Sequence, residues 1–309
     1  MLQRNLRSHS VDRIGFIGLG RMGRPMATNL QTKGFQLTVH DLVEPPMRAL
    51  EQRGATLARS AAEVARASDV VITMLPNSPE VEATVLGPGG VLENGRKGML
   101  VMDMSTVAPD ATDRLAKALA AKGLRFVDAP VGRQAQHADR GESLFMVGAE
   151  ASDLERVQPL LAAMGTTVIH CGPPGAGIRM KIVNNYLVLV ACQMNAEALT
   201  LGAKLGLPVE RMLEVFNGTT ATNGHLKMGW PAKVLAGDIE PGFTIELAYK
   251  DLSLGVEAAG KAGVPVFVGA AARECLGQAR RVGDFPAKDM SALLDVTALA
   301  AGIKPPRLG

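Results

Sequence analysis

The chain has 309 residues, 33 Lys and Arg against 30 Asp and Glu for a net charge of +3, and 47% hydrophobic composition, all ordinary for a globular protein with room for two domains. That composition excludes a disordered chain, and the mild charge, with no dense Lys/Arg run interleaved with aromatics, argues against a nucleic-acid partner. Cys171, Cys192 and Cys275 follow no metal or redox spacing, which points to a reducing, cytoplasmic interior in which the thiols act as small buried hydrophobes.

Residues 1–12 are polar, carry Arg4 and Arg7 and lack an apolar core, so they read as a flexible extension rather than a signal peptide or anchor. Next comes Arg13-Ile-Gly-Phe-Ile-Gly18-Leu-Gly20-Arg-Met-Gly23, a short apolar strand followed at once by Gly-x-Gly-x-x-Gly and a helical run to Leu30. Gly18 allows the tight turn, Gly20 lets a pyrophosphate approach the backbone, and Gly23 lets the helix pack on the strand. Phosphates would sit on the helix N-terminus, where free amides and the helix dipole both favour negative charge. A second strand over 36–41 ends in Asp41, placed to accept from a ribose 2′-hydroxyl. A 2′-phosphate would be repelled there and no Arg follows, so NAD is expected over NADP.

Further short apolar runs at 69–75, 99–104, 125–128, 143–148 and 167–170 alternate with Ala/Arg/Glu-rich helical segments such as 61–67 and 110–122. Such alternation predicts an α/β, doubly wound, mostly parallel sheet of Rossmann type over residues 13–172. Cys171-Gly-Pro-Pro-Gly-Ala-Gly177 is dense in turn residues and marks a boundary. Beyond it, 178–205 is a long helix-forming run, and breaks fall at 206–208, 217–224, 237–242 and 263–265. Residues 173–309 are therefore expected to form an all-α domain for substrate binding and dimerisation. A long helix apolar on most sides asks for a cover, and a second subunit is a natural one, giving a homodimer or homotetramer. No stretch reaches about twenty uninterrupted apolar residues, so a membrane span is not expected.

Lys181 opens that long run, with Asn184, Asn185 and Val188 projecting from one helix face at spacings of three and four. An ammonium beside two carboxamides in an apolar run suits a site that handles a polar, ionising substrate, although a surface lysine in an ordinary ion pair has the same spacing. The five histidines show no Ser, Cys or carboxylate partner pattern. His40 and His170 fall at strand ends, His9 in the extension and His225 in a loop, and His137 is near Arg133. No metal-ligand cluster is evident.

Four blocks together resemble the β-hydroxyacid dehydrogenases, the group of 3-hydroxyisobutyrate dehydrogenase and tartronate semialdehyde reductase: residues 15–26, Asp128-Ala-Pro-Val131, residues 175–185, and Tyr249-Lys250-Asp251-Leu252. The likeness spans the chain from Arg13 onward. It implies that Lys181 is the catalytic residue, that Lys250 reaches the cofactor, that Arg21 and Met22 share the glycine turn's role, and that Leu75, Ser105 and Thr106 lie beside the nicotinamide ribose and substrate. One departure stands out. Where most of the family continues Asp-x-Pro-Val with Ser-Gly-Gly, this chain reads Gly132-Arg133-Gln134. With residues 177–186 and 230–238, this Gly-Arg variant resembles the subgroup that reduces 3-sulfolactaldehyde in sulfoquinovose breakdown, in which the arginine holds the sulfonate. At Val188 that subgroup carries a serine, so one hydroxyl donor is lost.

The resemblance thus implies NADH-dependent reduction of 3-sulfolactaldehyde to 2,3-dihydroxypropane-1-sulfonate. Lys181 serves as general acid, Arg133 anchors the acid end, and Asn184 and Asn185 divide substrate binding and orientation of Lys181. A guanidinium fork suits a permanently ionised sulfonate. It also suits a carboxylate, which keeps succinic semialdehyde, 3-hydroxyisobutyrate and tartronate semialdehyde as alternatives. A non-catalytic nucleotide-binding or interaction protein on the same fold is the remaining class, and Lys181 speaks against it.

Overall fold

The computed structural model describes residues 12–309, and the extension expected at the N-terminus lies outside them except for Asp12. These residues form two compact units divided between Lys181 and Ile182.

The first unit is built on a nine-stranded sheet: β1 (Ile14–Ile17), β2 (Leu37–His40), β3 (Thr56–Leu57), β4 (Val70–Thr73), β5 (Leu100–Asp103), β6 (Arg125–Asp128), β7 (Val131–Gly132), β8 (Ser143–Gly148) and β9 (Gly165–Gly172). The order is β3-β2-β1-β4-β5-β6-β8-β7, with β9 beside β8. From β3 to β6 every pairing is parallel, and Ile14 stands opposite both Leu37 and Val70. β1, β4 and β5 are buried at every position, as expected of strands covered by helices on both faces, which is why they read as unbroken apolar runs. The chain reverses its winding between β1 and β4, and ligands of such sheets bind beyond the strand ends at that point. β8 runs antiparallel to β6 and β7 and parallel to β9. Two strands escape the sequence reading, β3 and β7, each two residues long and too short to set a pattern.

Helices cover the sheet: α1 (Gly23–Thr32), α2 (Glu44–Glu51), α3 (Ala61–Ala67), α4 (Ser78–Leu86), α5 (Val91–Asn94), α6 (Pro109–Ala121), α7 (Ala135–Asp139) and α8 (Ala151–Met164). α1 turns Pro25, Met26, Ala27 and Leu30 into a core shared with Phe16, Ile72, Met102 and Phe145.

The long helix α9 (Ala176–Lys204) begins in the first unit and continues through the second. Its first turns rest on the sheet, so the compact units divide inside the helix and not before it. The second unit adds α10 (Val209–Asn217), α11 (Ile245–Lys261), α12 (Phe267–Ala279) and α13 (Leu293–Ala300). Among its described residues the β structure is one isolated bridge, Thr244 to Asp289. Leu189, Cys192, Ala196 and Leu199 of α9 pack with Leu213, Trp230, Leu252, Leu276 and Leu294 into its core. By length and mean hydropathy α9 could cross a membrane, but half of its most apolar window is buried inside the protein, as in the core helix of a globular domain. Its exposed side carries Met180, Val183, Leu187, Met194 and Leu201.

Candidate active site

Three glycines shape the turn that ends β1. Gly18 adopts φ +95°, and any Cβ there would lie 2.3 Å from the carbonyl of Met74. Gly23 packs so closely that a Cβ would stand 1.9 Å from the Gly18 carbonyl, whereas a Cβ on Gly20 meets nothing within 4 Å. One glycine therefore makes the turn, one closes the helix on the strand, and the middle one leaves an open approach. α1 has no acidic residue in its first turn and no side chain capping it, so nothing in that turn opposes the positive end of the helix dipole toward an anion. These features fit the pyrophosphate of a dinucleotide. Arg21 is exposed at the rim and Met22 packs against the core.

Asp41 sits beyond β2 and ties the turn together. Its Oδ2 accepts from the Leu19 amide at 2.5 Å and its Oδ1 from the Val43 amide at 2.7 Å. The acid at the strand end thus holds the glycine turn, and each oxygen keeps a lone pair for a further donor.

The ends of β4 and β5 are joined by a buried polar knot. Asp103 accepts from Thr73 Oγ1 at 2.8 Å, from the Ser105 hydroxyl at 2.6 Å and from the Ser105 amide at 3.1 Å. The Ser105 oxygen in turn accepts from the Leu75 amide at 2.9 Å. Burial pushes the Asp103 carboxyl above its usual value, and these hydrogen bonds partly offset it. With 1% of its surface exposed, Ser105 is buried within this knot. It fixes Leu75, and Thr106 follows half-buried at the strand end.

Lys181 is buried, and its Nζ donates to the carbonyl of Val131 at 2.7 Å. Three residues earlier on that segment, Asp128 accepts from the Gly175 and Ile178 amides at the start of α9, at 2.5 and 2.6 Å. Burial raises the Asp128 carboxyl to about 6 against those two hydrogen bonds, with Asp103 adding to the rise. Arg179 pairs with Asp113 of α6 at 2.7 Å, a further tie on the helix.

Arg133 follows β7 in the left-handed region at φ 70°, unusual for a residue with a long side chain. Its guanidinium donates to the Glu142 carbonyl at 2.5 Å and to the Thr166 hydroxyl at 3.0 Å, with Thr167 at 3.5 Å. It therefore braces the β7 turn against β8 and β9, and a substrate anion would compete with those oxygens.

In the second unit, Asn185 is buried and donates to Asp251 Oδ2 at 2.6 Å, and Lys250 Nζ lies 3.0 Å from Asp251 Oδ1. The exposed Asn184 donates from its side-chain amide to Asn185 Oδ1 at 3.2 Å. Val188 is half-buried against the helical core, and its backbone carbonyl lies 2.9 Å from His225 Nε2. His40, His170 and His225 each lie within hydrogen-bonding distance of a backbone carbonyl, which suits structural roles. Among the described residues no group of three or more His, Cys, Asp or Glu could hold a metal.

Asp128, Asp251, Asp103 and the Val131 carbonyl are the parts that reading the sequence left without a role. Asp128 and Asp251 stand inside the motif blocks, but the groups that donate hydrogen bonds to them, Gly175, Ile178 and Asn185, are 47 to 66 residues away and follow no local pattern.

Residues 13–172 match a family model described as the NAD binding domain of 6-phosphogluconate dehydrogenase. Residues 175–297 match one described as NAD-binding of NADP-dependent 3-hydroxyisobutyrate dehydrogenase. The chain is 43% identical over 290 residues to 3-sulfolactaldehyde reductase of Escherichia coli, covering 94% of this chain and 97% of that protein. It is 39% identical over 293 residues to 2-(hydroxymethyl)glutarate dehydrogenase of Eubacterium barkeri, covering 94% and 96%. Among solved structures it resembles 3-hydroxyisobutyrate dehydrogenase of Mycobacterium tuberculosis with L-serine, at a TM-score of 0.85 and 31% identity over 92% of this chain and 98% of that one.

Proposed function

This chain belongs to the 3-hydroxyisobutyrate dehydrogenase-like β-hydroxyacid dehydrogenases, NAD-binding oxidoreductases acting on CH–OH groups, and from that premise we propose that it reduces 3-sulfolactaldehyde to 2,3-dihydroxypropane-1-sulfonate with NADH. The observation that carries the reading is Lys181, an ammonium buried on the Val131 carbonyl within the family's motif, in a chain 43% identical to a sulfolactaldehyde reductase.

The reduced nicotinamide, when bound, supplies the hydride to the aldehyde carbon. Gly18, Gly20, Gly23 and the α1 amides would hold its pyrophosphate, Arg21 and Met22 would border it, and Asp41 would accept from the ribose hydroxyls. Leu75 and Thr106 would flank the nicotinamide ribose, and Lys250 would reach the same cofactor. Lys181 donates a proton to the oxygen as negative charge develops, and its fixed charge stabilises that oxygen before the proton moves. The bond to the Val131 carbonyl takes one of its hydrogens and orients the ammonium. Asn185, locked by Asp251, orients this helix face, while exposed Asn184 is the better placed to bind substrate.

Arg133 anchors the sulfonate by exchanging its Thr166 and Thr167 contacts for the anion's oxygens, which suit a planar fork better than two hydroxyls. Its present engagement also favours a second reading, in which Arg133 stays a brace and the native substrate is a carboxylated semialdehyde. The test is turnover of 3-sulfolactaldehyde, succinic semialdehyde and a neutral aldehyde by native enzyme, Arg133→Gly and Arg133→Lys. Anchoring predicts a loss of roughly 2–5 kcal/mol in kcat/KM on the preferred anion for Arg133→Gly, part of it recovered by Lys, and near indifference for the neutral aldehyde. An equal loss on all three would assign Arg133 to the scaffold.

The exposed stripe of Met180, Val183, Leu187, Met194 and Leu201 recurs on one side of α9, and a second copy of the chain would cover it in a homodimer or homotetramer. A cytoplasmic setting agrees with the three free thiols. Analytical ultracentrifugation of the native chain and Leu187→Glu tests the assembly, since a charge in that stripe should release monomers.

A further inference from the structure

A helix leaves its first amides without partners, and the usual remedy is a Ser, Thr, Asp or Asn just before it. Residues 171–175, Cys-Gly-Pro-Pro-Gly, offer none, and the first turn of α9 has no acidic residue. The cap comes from β6 instead. We infer that Asp128 is a positioning residue for Lys181: its carboxylate clamps the Gly175 and Ile178 amides of α9 while Val131, on the same short segment, receives the Lys181 ammonium.

The contact is built for this clamp. Asp128 is 1% exposed. A Cβ on Gly148 would stand 2.3 Å from Asp128 Oδ1 and 2.8 Å from the Ala176 and Gly177 nitrogens. A Cβ on Gly177 would stand 2.3 Å from the Met146 carbonyl and 2.9 Å from that of Asp128. The helix start therefore lies backbone against backbone on β6 and β8, an approach that any side chain at either glycine would prevent. From Ile178 to Lys181 is less than one turn, so a small rotation of the helix start moves Nζ off the Val131 carbonyl. Residues 128–131 thus set the helix's place at its backbone and its ammonium at once. Being an anion at a helix N-terminus, the carboxylate also opposes the partial positive charge there.

This inference rests on Lys181 being the proton donor. Asp128→Asn is nearly isosteric but turns an amide NH2 toward one of the two helix N–H groups, so one hydrogen bond becomes a donor–donor contact. The expected result is a fall in kcat of about 10- to 100-fold, as for a reacting group displaced by a fraction of an ångström to one ångström. NADH affinity should be unchanged, and the solvent deuterium isotope effect on kcat should rise as proton transfer becomes limiting. Gly177→Ala, which lifts the helix from β8 with the carboxylate intact, should show the same signature and stands in if Asp128→Asn does not fold. Native kcat per active site and a native isotope effect in whichever variant folds, or turnover and NADH affinity lost together, would overturn the inference. Lys181→Ala separates the premise from the inference. Native turnover in Lys181→Ala removes the proton donor itself, whereas loss in Lys181→Ala with native behaviour in Asp128→Asn removes only the positioning role.

Discussion

Replacing Gly20 with alanine separates cofactor binding from folding. Its backbone lies outside the left-handed region, and a Cβ would meet nothing within 4 Å, so the protein alone should accept the methyl group. Its stability should hold or rise by about 0.4–1 kcal/mol through a less flexible unfolded chain. The open space is the approach assigned to the pyrophosphate, and a methyl group there forces the phosphates back from the amides. Losing one charge-assisted hydrogen bond costs about 1.5–3 kcal/mol, a weakening of NADH binding of roughly 10- to 150-fold. Gly23→Ala is the control with the opposite profile. Its Cβ would stand 1.9 Å from the Gly18 carbonyl, and such overpacking costs about 1–3 kcal/mol of stability before any cofactor is added. Thermal unfolding without cofactor and fluorescence titration with NADH measure the two effects separately. Native NADH affinity in Gly20→Ala, or a stability loss equal to that of Gly23→Ala, would refute the assignment of this turn as the phosphate cradle.

Asp41 should make NADPH the poorer reductant, and equal kcat/KM for the two cofactors would count against its place at the ribose; Asp41→Ala should also destabilise the free protein by about 1–3 kcal/mol because the buried Leu19 amide loses its acceptor, which urea unfolding checks. Asp251→Ala removes the acceptor of the buried Asn185, and a loss of about 1–3 kcal/mol in the same assay is expected. Asp128 carries a pH dependence whose sign follows from burial: its folded value of about 6 lies above the reference 3.8, so its stability contribution is complete below the latter and is lost as pH rises through the former. Asp103, Cys171 and Arg179 face it electrostatically, so the measurement is a difference: native minus Asp128→Asn unfolding free energy should decline across that interval, and a flat difference would contradict the cause given.

Much of the fold is legible because parallel strands buried on both faces are written as apolar runs, and Gly18, Gly20, Gly23 and Asp41 sit at the junctions where such strands end. The helical second unit is legible for a related reason, since Gly and Pro punctuate its helices. β7 was not, because two residues carry no period. Asp128 and Asp251 resisted for a different reason: their work is to satisfy groups brought near only by the fold, so the motif shows the acid and conceals its partners. Ser105 and Val188 show the converse. A motif position or a helix face nominates them, while the Ser105 hydroxyl donates to Asp103 and Val188 is half-buried against the helical core, surroundings that only the fold supplies. Arg133 is intermediate, since its chemistry is plain from sequence but its left-handed backbone and its contact with Thr166 are not.

The most direct test of the central claim is NADH oxidation with 3-sulfolactaldehyde, followed by nicotinamide absorbance, for the native enzyme and Lys181→Ala at saturating cofactor. The account predicts steady turnover by the native enzyme and a kcat lower by about two to four orders of magnitude in Lys181→Ala, with NADH still bound. Native-like turnover in the variant, or no oxidation of NADH by the native enzyme with this aldehyde, would contradict it.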